Sequence, residues 1–475
     1  MSLDLQFLER SADQLESEIQ RRLKDILRIL CKSLQDAVDT YSGALDSNGR
    51  VGRTQWVLQV KPRLASLVPE IEAWQRRFVD YVQLLRFTGS GFNNSKLRVA
   101  NEPQGGSLTS PADRISASIL LSRIAEVPPD AMPKLPPLTA DGSNQFQSLD
   151  NPSVKTLLAH DSSSAGLLVE CRKYADDAQA DELEPLVRFI ATILAAAGSD
   201  AQKTHVLQAV GYAQLPSPVR EFQLFLKYPS GMDSPATLRE ILLRSNELPM
   251  ASINARLDIC RQAATAVFIM HTSGLVHKSI RPETFLLFQA ARGRVTTPTA
   301  ETDTLGTLFL TSFDLAREDK PNASSSRRGI ADWEQRMYAH PSRHEPGTPY
   351  TMAHDIYSLG VNLLEIAMWQ SLVTYDSAVQ DLAFANDVIP GGRAVCEDGR
   401  AEAGERLRRL YLNAAVTALP VVAGNRFRDV VIFCLEVLDE GARDAGVQVA
   451  GQTEEETIGL RYIDQVLAKL DNIRV

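Results

Sequence analysis

Leu275-Val276-His277-Lys278-Ser279-Ile280-Arg281-Pro282-Glu283-Thr284-Phe285-Leu286-Leu287 is the stretch whose reading decides the fold. Upstream, Ile259, Ala263, Ala266, Val267 and Met270 recur at helical spacing and lead directly into it. Downstream, three further segments follow in order. They are Leu308-Phe309-Leu310-Thr311-Ser312-Phe313-Asp314-Leu315-Ala316-Arg317, then Tyr338-Ala339-His340-Pro341-Ser342, then the apolar-rich run from Tyr350 through Asp355, Ser358 and Gly360 to Ile366.

Working outward, residues from about 151 onward read as α+β. Gly166 to Tyr174 (Gly-Leu-Leu-Val-Glu-Cys-Arg-Lys-Tyr) has the composition of a strand, and Leu186, Phe189, Ile190, Ile193 and Leu194 mark a helix. Two strand-like runs follow, Thr204–Tyr212 and Glu221–Tyr228, and from Leu238 the chain reads as mainly helical. Residues 1–87 read as long amphipathic helices, a hairpin or bundle. One apolar stripe runs from Leu8 through Leu30, Leu34 and Val38 to Tyr41, and a second from Leu64 through Trp74 to Leu85. Between them and the α+β part, residues 88–150 are punctuated by Gly, Ser and Pro, including Pro128-Pro129 and Pro136-Pro137. They read as a linker carrying one short helix after Pro111.

Composition narrows the function classes. Hydrophobic residues make 44% and charged residues 23% of the 475, as in an ordinary globular protein, and the net charge of -9 argues against broad nucleic-acid binding. The five cysteines are scattered without a C-x-x-C pair, and the histidines show no ligand spacing, so no metal site is expected. The N-terminus lacks a basic-then-apolar leader, and no apolar run is long enough to span a bilayer. The expectation is a cytoplasmic chain without a transmembrane segment.

The four ordered segments resemble those of a protein kinase. The stretch at His277 resembles the catalytic loop H-R-D-L-K-P-E-N, the segment at Ser312 resembles D-F-G-L-A-R, Tyr338–Ser342 resembles the corner that closes the activation segment, and Tyr350–Ile366 resembles the D-x-Y-S-L-G-x-x-L-L-E-I helix. The resemblance covers about residues 151–475. More narrowly it is to a fungal group of kinase-like (pseudokinase) domains associated with N-terminal HeLo-type (prion-inhibition and propagation) helical domains. It implies a bilobal fold with a small lobe at 151–236 and a large lobe at 237–475, in which His277 and Asp355 are structural residues, Asp355 holding the loop backbone near His277. The interval from Ser279 to Ser312 exceeds the usual one, and the excess is assigned to a polar insertion over Gln289–Pro298.

The resemblance also implies that the chemically active positions are degenerate. Ser279 stands where the base Asp would be, Thr284 where the Asn metal ligand would be, and Ser312 where the metal-binding Asp would be. Losing a general base costs about 10²–10⁴-fold, and loss of both metal ligands removes the electrostatic stabilisation as well. Asp314, two residues on, would be displaced by roughly 6–7 Å in an extended strand, whereas magnesium takes oxygens at about 2.1 Å. The strand Lys of the family aligns with Arg172. Lys173 points to the opposite face, and Glu182 or Glu184 is placed to pair with Arg172 from the helix; with Asp314 these are the nucleotide-cleft candidates.

The expected function is a catalytically dead scaffold or signalling switch, in fungal incompatibility or innate-immunity-type signalling. No cofactor is expected, and any ATP binding would be weak or metal-independent. Partners would be proteins, including self-association through the N-terminal helices, with no nucleic acid. Two alternatives stay open: an atypical active Ser/Thr kinase using substitute metal ligands, and a HeLo-like helical effector acting by oligomerisation or at membranes.

Overall fold

The computed structural model describes residues 17–44, 60–64, 67, 132–135, 145–148, 154–158, 166–198, 201–245, 250–290, 305–318, 332–344, 348–376, 380–396, 401–439, 458–459 and 461–473. Most of the second N-terminal stripe, the helix expected after Pro111 and the insertion beyond Ala290 lie outside them. The chain divides into two compact units. One comprises 1–115 with 447–464, the other 116–446 with 465–475.

The first unit contains helix α1, Ser17–Ser42. The lower end of the first apolar stripe is not buried on it: Leu34, Val38 and Tyr41 are 40%, 56% and 47% exposed, while Ser33 and Ala44 are buried. Among the described residues, no helix is long and apolar enough to cross a membrane.

The second unit is α+β. Its first sheet has five antiparallel strands: β1 Gln145–Ser148, β2 Val154–Leu158, β3 Leu167–Lys173, β4 Gln208–Leu215 and β5 Glu221–Lys227, in the spatial order β1-β2-β3-β5-β4. Strand β1 falls inside the stretch read as linker. With four and five residues and no run of aliphatics, β1 and β2 carry little period-2 signal. Helix α2, Asp177–Ala197, packs against β4. Its start is fixed by Asp176, whose carboxylate accepts the Gln179 amide, an N-cap in the usual sense. The run read as a strand from Thr204 begins instead at Gln208. Ala201–Thr204 is a helical turn, and His205 sits at φ 56° before the chain extends.

After β5 the chain forms β6 Met232–Thr237 and helix α3 Leu238–Leu243, then helix α4 Ile253–Thr272 and the short strand β7 Leu275–Val276. Strands β8, Phe285–Ala290, and β9, Thr307–Leu310, complete a three-stranded sheet in the order β6-β8-β9, while β10, Arg317–Glu318, pairs with β7. Gln289 and Ala290, assigned from sequence to the insertion, are the last residues of β8. Helices α5 Trp333–Tyr338, α6 Met352–Met368, α7 Ala401–Thr417 and α8 Gly424–Leu435 follow, with shorter helices at Gly392–Cys396, Leu419–Val422 and Ala468–Asp471. Helix α6 is the axis of this helical part: every residue from Ala353 to Ala367 is buried, and it packs on α4 and α8. The approach to α8 requires Gly360, because a Cβ there would lie 2.5 Å from Cys434 Cβ.

Candidate functional site

The loop after β7 is held from below by one carboxylate. Asp355, fully buried near the start of α6, accepts the His277 amide at 2.7 Å, the Lys278 amide at 3.0 Å and the Tyr350 hydroxyl at 2.7 Å, with His271 Nε2 at 3.2 Å. Burial opposes ionisation, but these donors hold its carboxyl below the ordinary range. His277 is occupied at both ring nitrogens. Nε2 lies 2.9 Å from the Thr311 carbonyl, Nδ1 accepts the Ser279 amide at 3.3 Å, and the ring stands edge-on to Phe313. Those partners select the neutral Nε2–H tautomer, and burial lowers the pKa. Both nitrogens of the neutral imidazole are thus engaged within the fold.

Thr284 is committed in the same way. The Thr284 hydroxyl donates to the Arg281 carbonyl at 2.9 Å and accepts the Arg281 amide at 3.2 Å, closing its own turn. The Thr284 carbonyl receives both the amide and the hydroxyl of Thr311, so the side chain is fully enclosed. Ser279 lines a recess with Lys278, Arg281, His340, Tyr350 and His354, apart from Thr284 and Ser312. Lys278 takes φ 70°, a left-handed conformation unusual for a side-chain-bearing residue. Its ammonium is pushed down to about 8, first by burial and then by Arg317, Arg343 and Arg172.

The segment after β9 corrects the extended-strand reading of Asp314. Ser312 adopts φ 70° and Phe313–Leu315 is a 3₁₀ turn, so the chain folds over instead of running on. This brings Asp314 beside Arg172, whose pKa burial lowers and Asp314 raises. Arg172 Nη1 donates to the Ala316 carbonyl at 3.0 Å. Among the described residues no ion pair joins Arg172 to Glu182 or Glu184. Glu182 is exposed, and Glu184 binds Lys134 Nζ at 2.9 Å and the Tyr212 hydroxyl at 3.1 Å. The face that α2 presents to Arg172 is apolar, Val187 and Ile190. Lys173 is exposed, as the strand alternation requires.

The residue that sequence reasoning missed is Glu170. It shares the β3 face of Leu168 and Arg172, two residues before the arginine, and is 3% exposed. Its two carboxylate oxygens accept the amides of Ser312 at 2.6 Å and Phe313 at 2.8 Å. Burial raises its pKa to about 7, the two amides pull it down and Asp314 pushes it up. The recess around Glu170, Arg172, Val187, Phe313 and Asp314 leaves room for little more than a water molecule. A charged residue in mid-strand, on the face of Arg172, was the available signal.

Behind the loop lies a second buried polar knot. Arg239 on α3 donates through Nε to Glu283 at 2.9 Å, and through Nη1 to Glu365 at 2.5 Å and Ser371 at 2.7 Å, with Nη2 on the Tyr338 hydroxyl. It ties α3, the turn after Arg281, α5 and α6 together.

No protein-family model matches the chain. It is similar to two curated bacterial proteins: serine/threonine-protein kinases drp72 of Corynebacterium efficiens, 28% identical over 199 residues (41% of this chain, 34% of the relative), and serine/threonine-protein kinases PknA of Corynebacterium glutamicum, 28% identical over 213 residues (44% and 40%). The chain thus spans less than half the length of the curated relatives it matches. This is a distant similarity to protein kinases over less than half of this chain.

Proposed function

We propose that the second unit is a two-lobed protein-kinase-like module that has given up phosphoryl transfer and acts as a scaffold or signalling switch. In this reading the small lobe extends to residue 236 and includes β1 and β2, and the large lobe comprises the unit's remaining residues, 237–446 and 465–475. The observation that carries it is the pair of bonds from Glu170 to the Ser312 and Phe313 amides. In this reading the Glu170 carboxylate takes up, against the Ser312 and Phe313 amides, the place between β3 and the turn that a nucleotide phosphate and its metal would need.

Three further features support the reading. A divalent cation does not fit the residues present: Thr284 has spent its hydroxyl in its own turn, Ser312 offers a neutral oxygen, and both oxygens of Glu170 face backbone amides. Among the described residues, no cluster of three His, Cys, Asp or Glu could hold a metal. Arg172, the residue aligned with the family's phosphate-contacting lysine, is turned onto the Ala316 carbonyl, and Val187 and Ile190 replace any carboxylate partner from α2. We assign no step through ATP or magnesium.

The narrower part of the proposal is a kinship with the fungal HeLo-associated group, in which the helices of residues 1–87 form an oligomerisation or effector arm. The exposed Leu34, Val38 and Tyr41 on α1 support an arm that offers an apolar stripe to a protein partner. The test of the central reading is phosphate transfer from γ-labelled ATP to the chain itself and to a generic basic protein, with magnesium or manganese. The expected result is no transfer above a metal-free control. Transfer that depends on metal and vanishes in Asp314→Ala would establish the alternative, an active kinase with a substitute ligand.

A further inference from the structure

The free edge of the five-stranded sheet is not bare. The described residues Met132–Leu135 lie along β4 in parallel: the Leu135 amide donates to the Tyr212 carbonyl at 2.8 Å, and the Tyr212 amide to the Pro133 carbonyl at 3.3 Å. Alternate side chains then go to opposite faces. Lys134 reaches the α2 side, where Nζ lies 2.9 Å from Glu184 and 3.1 Å from Gln214. Leu135 goes to the other side and packs on the cluster of Val169, Cys171, Ala213 and Phe225.

The edge is shaped for this occupant. Gly211 stands at a bulge in β4, and a Cβ there would fall 2.6 Å from Leu135 Cδ1 and 2.9 Å from the Pro133 carbonyl oxygen. The next two residues, Pro136 and Pro137, have no amide to donate to a further pair. The segment is therefore a three-residue ligand in form: a proline that offers a carbonyl, a cation for Glu184, and an apolar side chain for the outer cluster.

We propose that this edge is a peptide-docking groove, that residues 133–135 are its intramolecular ligand, and that a partner protein presenting an extended Pro-Lys-Leu-like segment exchanges with it. Strand addition of this kind draws affinity from main-chain pairing and specificity from alternate side chains. Exchange is feasible because the footprint is small. The described contacts are two backbone hydrogen bonds, one half-exposed ion pair, a hydrogen bond from the same ammonium to Gln214 and one leucine, a set that opens locally at far less cost than global unfolding. Opening would lift Leu135 off the cluster that contains Cys171, a thiol only 6% exposed, which makes that thiol the reporter of exchange. The proposal does not depend on the loss of phosphoryl transfer.

The experiment uses the full chain and a labelled synthetic peptide of residues 129–139. In the variant Lys134→Glu/Leu135→Asp, Cys171 should be alkylated at least tenfold faster than in the unaltered protein. The peptide should bind this variant and restore the protection, and Gly211→Val added to it should abolish peptide binding. A folded variant whose Cys171 reacts as slowly as before, or which neither binds the peptide nor is protected by it, overturns the proposal. Hydrogen exchange on the unaltered protein guards against a variant that fails to fold. The Leu135 amide should exchange through local opening, well ahead of the amides of β5. Exchange only together with β5 would make the segment a fixed part of the sheet and contradict the inference.

Discussion

Glu170 and Ser312, 142 positions apart in the chain, are joined by a 2.6 Å hydrogen bond from the serine amide to the glutamate carboxylate. The Phe313 amide occupies the other oxygen at 2.8 Å. One carboxylate thereby fixes strand β3 to the turn that carries Asp314. The contact sets the size of the recess, its electrostatics and a pH dependence.

That dependence has a definite sign. The Glu170 carboxyl titrates at about 7 in the folded chain against an ordinary 4.5. Between those values the folded state binds more protons than the unfolded one, so this group's contribution to stability falls as pH rises through the window. The full effect is roughly 3 kcal/mol. His340 and His354, held down to about 4 and about 3 chiefly by burial, act in the opposite direction and cost stability as pH falls below 6.5. They are common to the unaltered protein and Glu170→Gln. The difference in unfolding free energy between the two should therefore shift against the unaltered protein from pH 4.5 to 7 in urea titrations. A constant difference would show that Glu170 titrates normally.

Arg239 supports a stability prediction. It is 2% exposed and bonded to two carboxylates, Glu283 and Glu365. Removing one partner of a buried ion pair costs about 3–5 kcal/mol, because the other charge is left uncompensated. Arg239→Met should lose that much in denaturant unfolding. Glu283→Gln and Glu365→Gln, added to it, should recover part of the loss.

The α1 stripe supports a prediction about assembly. Leu34→Glu with Val38→Glu should lower the mass measured by light scattering while leaving the melting temperature within about 2 °C, since both side chains are exposed. An unchanged mass would remove self-association through this face.

Much of the α+β organisation was legible in the sequence because long periodic segments announce themselves. The helix from Ile259 to Met270 and the axis from Met352 to Met368 are dense apolar runs. The sequence reading set Asp355 near His277, and in the structure its carboxylate accepts the His277 amide. What was not legible came from backbone turns and short strands. The left-handed Ser312 reverses the chain, so Asp314 sits by Arg172 where an extended strand would have carried it away. Glu184 looked available to Arg172, yet a lysine 50 residues upstream claims it through a strand pairing that no local pattern encodes. Glu170 offers only a lone charge in mid-strand on the face of Arg172, a signal without periodicity. Only its partners reveal what it does.

The most direct measurement is thermal melting of the full chain with millimolar ATP, with and without magnesium, alongside Glu170→Ala. A ligand present at about 100 times its Kd would stabilise the fold by about 2.7 kcal/mol, a shift easily read. The account predicts no shift for the unaltered protein in either condition, because on the proposed reading the Glu170 carboxylate, bonded to the Ser312 and Phe313 amides, leaves no room for the phosphates. A magnesium-dependent rise in melting temperature of the unaltered protein would contradict it.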